Sequence, residues 1–253
     1  MSELVILSAI AIGLSLGIFG SGGAILTLPA LVYLLNYDDK SAIIGSLFIV
    51  ACISTFGSIP HFIKNNVSFK HILYFALPGV LGSYLGALIG SMVESWLQFL
   101  LFLLLMIIAA TKMLRTKAVD QSTPETEAKN TYLIISGTLV GFATGFVGVG
   151  GGFLIVPALI FLGRLPIAKA TATSLVIIVI QSSVALLSYY QHSFPLFKLM
   201  DWQMLIMIAA VGISGSYLGL WLKKYLNEQL LMKSFGYFLI LMACIIFADK
   251  ILF

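Results

Sequence analysis

The chain has 253 residues, of which 60% are hydrophobic and 9% are charged, and its net charge is +4. Soluble domains carry about 25% charged residues, so this composition excludes a water-soluble globule. The positive charge does not indicate nucleic-acid binding, because Lys and Arg in the loops of a membrane protein act as orientation signals and contact lipid headgroups. We therefore expect an all-α polytopic membrane protein that contacts membrane lipids and no nucleic acid.

Apolar segments of about 20 residues, the length that spans a bilayer, recur along the chain. The eight predicted spans are 4–19, 41–62, 72–93, 96–114, 132–147, 168–190, 204–222 and 230–247. Two further apolar segments, 24–35 and 153–162, are too short to cross alone at about 1.5 Å per residue. Segment 4–19 has no basic region before it, so we interpret it as a retained membrane helix rather than a cleaved signal peptide.

The two halves of the chain repeat one another. A shift of 128 positions, from Gly13 to Gly141, aligns five glycines and one proline without a gap. The first set is Gly13, Gly17, Gly20, Gly22, Gly23 and Pro29, and the second is Gly141, Gly145, Gly148, Gly150, Gly151 and Pro157. The sequence therefore predicts two homologous repeats of about four transmembrane helices each, 1–115 and 131–253, joined by a hydrophilic linker at 116–130.

Each repeat begins with an apolar helix that a run of glycines interrupts. We expect the first helix of each repeat to break there, which frees backbone N–H groups that lipid cannot satisfy. Glycine also lets the backbone approach a ligand closely, so the paired breaks suit a small anion held by amide donors. The alternative is close helix packing through small residues. The candidate binding residues of the two breaks are Gly20, Ser21, Gly22, Gly23, Ala24, Gly148, Val149, Gly150, Gly151 and Gly152.

Hydroxyl and amide side chains follow the breaks in the next predicted helix of each repeat. Ser46 and Ser174 occupy equivalent positions, and Thr173 precedes Ser174. These hydroxyls either complete an anion shell, cap a broken helix or bond to carbonyls of their own helix. Gln181 lies about two turns deeper, among further polar residues that need partners when buried. We therefore add these four residues to the candidate substrate-binding set.

Charged residues are scarce within the predicted spans. No Asp or Glu falls clearly inside one, which argues against the buried carboxylate relay of many proton-coupled carriers. Lys40, Arg164 and Lys169 flank the short segments, where they either attract anions or extend to the lipid headgroups. The three His residues stand at span ends, and neither they nor the two Cys residues have the spacing of metal ligands. No cofactor, metal or catalytic residue is predicted.

A second duplicated motif, Gly-Ser-Tyr-Leu-Gly, occurs at 82–86 and again at 215–219. Glycines four residues apart on a membrane helix allow two backbones to approach closely. We expect this motif to pack the third span of each repeat against a neighbouring helix.

The duplicated pattern Gly-x-Gly-Gly, followed by Pro-Ala-Leu and by Ser-Leu in the next helix, resembles the sulfite exporter TauE/SafE family of membrane permeases. It occurs at 20–31 with Ser46-Leu47 and at 148–159 with Ser174-Leu175, and covers nearly the whole chain. Ala24 and Ala172 stand where many family members have glycine. The resemblance implies a secondary transporter of the bacterial cytoplasmic membrane for sulfite, sulfonates or related sulfur-containing anions, and we expect alternating access.

Two alternatives to transport remain at this point, a membrane scaffold or sensor and an intramembrane hydrolase that uses Ser21. The hydrolase would need a His base facing Ser21 from another span. The orientation also stays open. If the short segments do not cross, both termini and the linker share one face and the basic residues divide eight to six; if they do cross, the repeats are inverted. The identity of the anion, the transport direction, the coupling ion and homo-oligomer formation are not predicted.

Overall fold

The computed structural model describes residues 3–21, 23–115, 129–149 and 152–252, and these residues contain helices and no strand. The all-α prediction is therefore confirmed for this part of the chain. Three predicted site residues, Gly22, Gly150 and Gly151, lie outside it, as does the predicted linker except for residues 129 and 130. The helices are α1 Glu3–Phe19, α2 Gly23–Pro29, α3 Asp39–Ile63, α4 Phe69–Met92, α5 Ser95–Arg115, α6 Asn130–Val147, α7 Gly152–Phe161, α8 Ile167–His192, α9 Phe194–Leu199, α10 Trp202–Lys223 and α11 Glu228–Leu252.

Local sequence explains several helix boundaries. Asp38 precedes α3 and accepts a hydrogen bond from the Ser41 N–H at 3.1 Å. Asp201 precedes α10 and accepts one from the Met204 N–H at 3.0 Å. Both carboxylates satisfy a backbone donor that the first helical turn leaves without a partner. Pro195 lies in the first turn of α9, where its missing N–H costs no helical hydrogen bond.

Seven helices of the described chain are long and apolar enough to cross a membrane. They are α3, α4, α5, α6, α8, α10 and the segment Gln229–Phe247 of α11. The predicted first span is shorter, because α1 has 17 residues and measures about 25 Å against the roughly 30 Å of a hydrocarbon core. The structure thus contains seven full-length spans in its described part rather than the eight that hydropathy predicts.

Two helix pairs pack backbone to backbone along glycine faces. α1 runs parallel to α10, with Gly13 beside Gly212 and Gly17 beside Gly219. α6 runs parallel to α4, and its contacts are Gly137 with Phe75, Gly141 with Gly79 and Gly145 with Ser83. A Cβ added to any of these α1 or α6 glycines would lie less than 3.0 Å from a backbone atom of the partner helix. Both copies of the Gly-Ser-Tyr-Leu-Gly motif lie in these interfaces, in agreement with the packing role predicted for them.

The helices α3 and α8 are the most buried of the seven spans, and they run antiparallel and define two faces of the bundle. At one face the start of α3 and the end of α8 meet, and Lys40 and Tyr189 share Gln98 as a hydrogen-bond partner. We call this the Lys40 face. At the other face, the end of α3, the start of α8 and the end of α10 surround a cavity. We call this the Lys223 face, after the last residue of α10.

The chain reverses direction after each glycine run. α2 lies back along α1, because a Cβ on Gly23 would touch Ile12 and Leu16. α7 returns toward the Lys223 face, where His71 Nε2 donates to the Gly163 carbonyl that follows α7, at 2.9 Å. α1 therefore starts at the Lys40 face, α6 starts at the Lys223 face, and each short segment adds a partial pass across the bundle. His71 stands at a span end, as the sequence analysis places it, but its side chain is buried in this contact.

Candidate functional site

Left-handed glycine residues end both α1 and α6. Gly20 has a φ of +70° and Gly148 a φ of +71°, a conformation that glycine adopts without the strain of a Cβ. The Gly20 N–H donates to the Leu16 carbonyl at 2.8 Å, and the Gly148 N–H donates to the Thr144 carbonyl at 2.9 Å. The two helices therefore stop at positions that the 128-residue shift makes equivalent. We call residues 20–23 and 148–152 the two glycine turns.

Each glycine turn is held by a serine from the other half of the chain. Ser174 Oγ donates to the Gly20 carbonyl at 2.9 Å, and Ser46 Oγ donates to the Gly148 carbonyl at 2.8 Å. Each hydroxyl also lies 2.9 Å from a carbonyl one turn earlier in its own helix. A hydroxyl has one proton to donate. In this conformation each hydroxyl is therefore directed at two carbonyls, one on a glycine turn and one in its own helix, which are two of the roles considered for it above.

The two glycine turns meet in the interior of the bundle. A Cβ on Gly152 would lie 2.9 Å from Ser21 Cα and 2.8 Å from the δ-methyl group of Ile178. Ser21 and Val149 are fully buried, and Gly23 is buried as well. Ala24 follows Gly23 in the first turn of α2. Two of the predicted site residues from different halves of the chain, Ser21 and Gly152, are therefore in contact.

Thr173 and Gln181 have different environments, although both belong to α8. Thr173 Oγ1 accepts a hydrogen bond from the Ser68 N–H at 3.0 Å, so it anchors the loop before α4. Gln181 is 1% exposed, and its Oε1 accepts a long hydrogen bond from Thr144 Oγ1 at 3.4 Å. Its Nε2 has no partner among the described atoms. Gln181 therefore brings a buried N–H donor that the protein itself leaves unsatisfied.

Gln181 is one of several buried side chains whose polar atom has no hydrogen-bond partner in the described structure. They are Ser15, Ser21, Ser54, Gln181, Ser182 and Ser216. These residues lie on the first glycine turn and on α1, α3, α8 and α10, helices that pack against one another. Leaving such a group unsatisfied costs about 1–3 kcal/mol. The set offers neutral O–H and N–H donors, which suit the oxygen atoms of an anion or of water. The site residues predicted from the sequence include Ser21 and Gln181 but not Ser15 or Ser216.

The histidines do not provide Ser21 with a base in this structure. His71 contacts Ser68 Oγ at 2.7 Å besides the Gly163 carbonyl, and His192 Nδ1 donates to the Ser188 carbonyl at 2.8 Å. His61 lines the cavity of the Lys223 face. The Ser21 hydroxyl itself has no hydrogen-bond partner, so the contact that the hydrolase alternative requires is not made among the described residues.

A network of hydrogen bonds closes the Lys40 face. Lys40 Nζ donates to the Gly90 carbonyl at 2.6 Å, to the Val93 carbonyl at 2.7 Å and to Gln98 Oε1 at 2.6 Å. Gln98 Nε2 donates to Tyr189 Oη at 3.0 Å and to the Phe146 carbonyl. The ammonium thus caps the carbonyl end of α4, where the helix dipole favours a cation. Lys40 had been expected either to attract anions or to reach the headgroups, and its capping role was missed because its partners are distant in sequence.

The Lys223 face is open where the Lys40 face is closed. A cavity of about 410 Å³ lies between the ends of α3 and α10 and the start of α8, and its wall includes His61, Lys64, Lys223 and Lys224. Lys223 Nζ donates to Thr171 Oγ1. Thr171 in turn packs on the first glycine turn, since a Cβ on Gly20 would lie 2.8 Å from Thr171 Cα.

Sequence reasoning did not select the basic residues of this cavity. It proposed Arg164 and Lys169 instead, which are exposed and are not among the residues that line the cavity. The sequence does contain a signal for this cavity, the pair Lys223-Lys224 that comes four residues after the second Gly-Ser-Tyr-Leu-Gly motif. The corresponding residues after the first motif are the uncharged Gly90 and Ser91.

Known proteins are similar to this chain over most of its length. The family model described as Sulfite exporter TauE/SafE matches residues 5–246. A probable membrane transporter protein of Xylella fastidiosa is 34% identical over 241 residues, which cover 92% of this chain and 89% of that protein. The probable membrane transporter protein YunE of Bacillus subtilis is 26% identical over 265 residues, which cover 95% of both chains. For the probable membrane transporter protein MJ0441 of Methanocaldococcus jannaschii, the identity is 29% over 192 residues, 74% of this chain and 71% of that one. No solved structure matches the chain.

The family match includes both glycine turns, the serines that cap them and nearly all of the seven spans. The relatives that are named as membrane transporters align over the same region. Seven helices of membrane-spanning length make the protein a multi-pass membrane protein. The chain is therefore a membrane transporter that belongs to the sulfite exporter TauE/SafE family.

Proposed function

We propose that this transporter moves a small sulfur-containing anion, such as sulfite or an organosulfonate, across the bacterial cytoplasmic membrane by alternating access. The observation that carries the proposal is the set of buried donors without partners, with Ser21 at one glycine turn and Ser54, Gln181 and Ser182 on the adjoining α3 and α8. The family's description as sulfite exporters supports the choice of a sulfur oxyanion.

The donors have the character that such an anion needs. A sulfite or sulfonate group carries three oxygen acceptors, and each oxygen would satisfy a hydroxyl or amide that otherwise costs about 1–3 kcal/mol. Backbone N–H groups in the first turns of α2 and α7 would add further donors, whereas those of Gly20 and Gly148 already bond to carbonyls of their own helices. Because neither turn uses a charged side chain, the bound anion would be held by dipoles, and it could leave again without breaking a buried ion pair.

We also propose that the two halves, 1–115 and 131–253, are inverted repeats with the anion between them. The reciprocal contacts support this: Ser174 holds Gly20 and Ser46 holds Gly148, and both pairs are related by the 128-residue shift. The pairing of α1 with α10 and of α6 with α4 is reciprocal in the same way. Inverted repeats whose discontinuous helices meet near the midplane are a common transporter architecture.

The distribution of basic residues supports an orientation with the Lys223 face in the cytoplasm. The described Lys and Arg residues at that face are Lys64, Lys70, Lys112, Arg115, Lys129, Arg164, Lys169, Lys223, Lys224 and Lys233. Those at the Lys40 face are Lys40, Lys198 and Lys250. A ratio of ten to three is a strong positive-inside signal. The basic residues divide only eight to six when the short segments after the glycine turns are assumed not to cross. Both termini of the described chain then lie on the outer side.

The two faces give the proposed transport cycle its end states. The structure corresponds to a state with the Lys223 face open and the Lys40 network formed. In the opposite state the Lys40 network would separate and the cavity at the Lys223 face would close. Loading from the cytoplasmic cavity and release at the Lys40 face would make the net movement an export.

Flux measurements in proteoliposomes test this function. Purified protein should move sulfite or methanesulfonate faster than protein-free liposomes, and the double variant S54A/S182A should reduce that flux at least tenfold because two hydroxyl donors are lost. The control is T138A, since Thr138 is exposed and bonds only to the Ile134 carbonyl of its own helix. A wild-type protein that moves no sulfur oxyanion would contradict the proposed substrate class.

A further inference from the structure

We infer that the cavity of the Lys223 face is a second oxyanion-binding site, an antechamber that holds the anion before it reaches the glycine turns. This inference rests on the proposed function, because it gives that function its entrance on one side of the membrane. The cavity is formed by α3, α8, α10 and the loop after α3. None of the predicted site residues lines it.

The wall of the antechamber has the composition of an anion site. His61, Lys64, Lys223 and Lys224 supply cationic or N–H donor groups, and Asn66 adds an amide. None of the ten described lining residues is Asp or Glu, so cationic and N–H donor groups predominate in the described part of the wall. The exposed Trp221 covers part of the opening, as aromatic side chains do at the membrane interface.

The volume fits a hydrated ion. A water molecule occupies about 30 Å³ in the liquid, so a cavity of about 410 Å³ holds on the order of a dozen waters or one small oxyanion with part of its hydration shell. Lysine ammonium groups at such an opening raise the local concentration of anions and their rate of association. The first step of binding therefore requires little dehydration, which the neutral donors further inside can complete.

A short chain of contacts joins the antechamber to the first glycine turn. Lys223 Nζ donates to Thr171 Oγ1, and Ser174 Oγ lies 2.9 Å from both the Thr171 and the Gly20 carbonyls. An anion bound beside Lys223 would therefore be separated by one side chain, Thr171, from the first glycine turn, because Thr171 packs directly on Gly20.

The other face does not repeat this arrangement, so repeat symmetry alone does not explain the cations. The positions that correspond to Lys223 and Lys224 in the first Gly-Ser-Tyr-Leu-Gly helix are Gly90 and Ser91, and the 128-residue shift pairs Lys64 with His192. At the Lys40 face, the Gly90 carbonyl instead accepts a hydrogen bond from Lys40, which also bonds to Gln98. The lysine cluster thus belongs to one end of the transport path only.

Trp221 provides a direct reporter of binding. The other two tryptophans, Trp96 and Trp202, begin α5 and α10 at the Lys40 face, so the W96F/W202F variant leaves a single fluorophore at the antechamber. Sodium sulfite added to this variant in phosphatidylcholine nanodiscs, against sodium chloride of equal ionic strength, should produce a saturable fluorescence change. Adding K64Q and K224Q should weaken the apparent Kd at least tenfold, whereas K233Q, an exposed lysine on the same face, should leave it unchanged. An unchanged Kd in K64Q/K224Q overturns the inference.

A lipid phosphate has the same chemistry as the proposed ligand, so a second arm separates the two sources. The titration is repeated in nanodiscs that contain phosphatidylglycerol. A preserved sulfite response assigns the site to the free anion. A response that disappears in phosphatidylglycerol assigns it to lipid headgroups and overturns the antechamber role.

Transport kinetics distinguish failure of this inference from failure of the proposed function. With sulfite supplied at the Lys223 face, K64Q/K224Q should raise KM about tenfold with little change in kcat, because the donors at the glycine turns are intact. An unchanged KM with normal flux overturns the antechamber alone. Absence of sulfite flux in the wild-type protein overturns the proposed function, whatever Trp221 reports.

Discussion

At the Lys40 face three hydrogen bonds hold the Lys40 ammonium to the end of α4 and to Gln98, while at the Lys223 face the corresponding helix ends surround a cavity of about 410 Å³. Both faces are built from an antiparallel pair of long helices, and each lies next to one capped glycine turn. The framework is therefore shared, and the side chains at its ends decide which end is closed.

The comparison teaches that a lysine has opposite consequences at the two ends. Lys40 donates to two backbone carbonyls at the end of α4 and to Gln98, so its ammonium holds helix ends together. Lys223 donates to the Thr171 hydroxyl and shares the cavity wall with two further basic residues, Lys64 and Lys224. Residues of the same type thus have opposite surroundings at the two faces, and we propose that one acts as a gate contact and the other attracts the anion.

The largest effect should come from variants of the shared framework, which should damage both ends equally. We expect G17A and G145A, equivalent under the 128-residue shift, each to lower the free energy of unfolding by about 3 kcal/mol. In both cases the new Cβ would lie less than 3.0 Å from backbone atoms of α10 or α4. Thermal unfolding in detergent measures this. G45A is the control, because its Cβ would first meet a flexible Leu31 methyl group at 3.0 Å. A loss confined to one of the two variants would show that the halves do not share a framework.

The next effect separates the two ends. K40M should lower the free energy of unfolding by about 2 kcal/mol, because the Gly90 and Val93 carbonyls lose a charged donor in a partly buried position. It should also open the Lys40 face, so that a cysteine at position 91 reacts faster with a maleimide added from that side. The labelling needs a C52A/C244A background, since both native cysteines are free thiols. Equal labelling rates with and without K40M would mean that Lys40 does not hold this face closed.

A smaller effect of opposite sign is expected at the centre. Q181L removes an Nε2 group that is buried without a partner, so the free energy of unfolding should rise by about 1 kcal/mol. The equivalent residue in the first half is Ile53, which packs against Gly212 as Gln181 packs against Gly79. Thermal unfolding of Q181L beside the control I53L measures the difference. A marked destabilisation by Q181L would indicate that Gln181 has a structural partner.

The smallest effect should be that of K223M. It removes the bond to Thr171 Oγ1 at a half-exposed position, so the free energy of unfolding should fall by less than about 1 kcal/mol. Compared with K40M in the same unfolding assay, this variant sharpens the contrast between the faces. If K223M cost as much as K40M, both lysines would be structural and the contrast would disappear.

Sequence alone predicted the parts of this structure that local chemistry determines. Hydropathy located the long helices, and the paired glycines located the ends of α1 and α6, since Gly20 and Gly148 adopt positive φ values. The serines at positions 46 and 174 were selected from their repeat register, and they contact the turns.

Features that depend on distant residues were not predictable in this way. The return of α2 along α1 depends on packing of Gly23 against Ile12 and Leu16, which hydropathy does not encode. The partners of Lys40 lie 50 to 58 residues away, and the wall of the antechamber combines three helices and a loop. The uneven distribution of Lys and Arg that supports the proposed orientation can be counted only once the structure shows where the chain reverses, because those reversals determine the face on which each loop lies.

The central claim is that the buried donors of the first glycine turn and of the adjoining α3 and α8 bind the transported anion, and sulfite counterflow tests it most directly. Proteoliposomes preloaded with unlabelled sulfite receive a trace of radiolabelled sulfite outside, and the label taken up is followed for wild-type protein and for Q181L. We predict transient accumulation with the wild-type protein and at least a tenfold smaller accumulation with Q181L, although Q181L is no less stable. Equal accumulation by the two proteins would contradict the account.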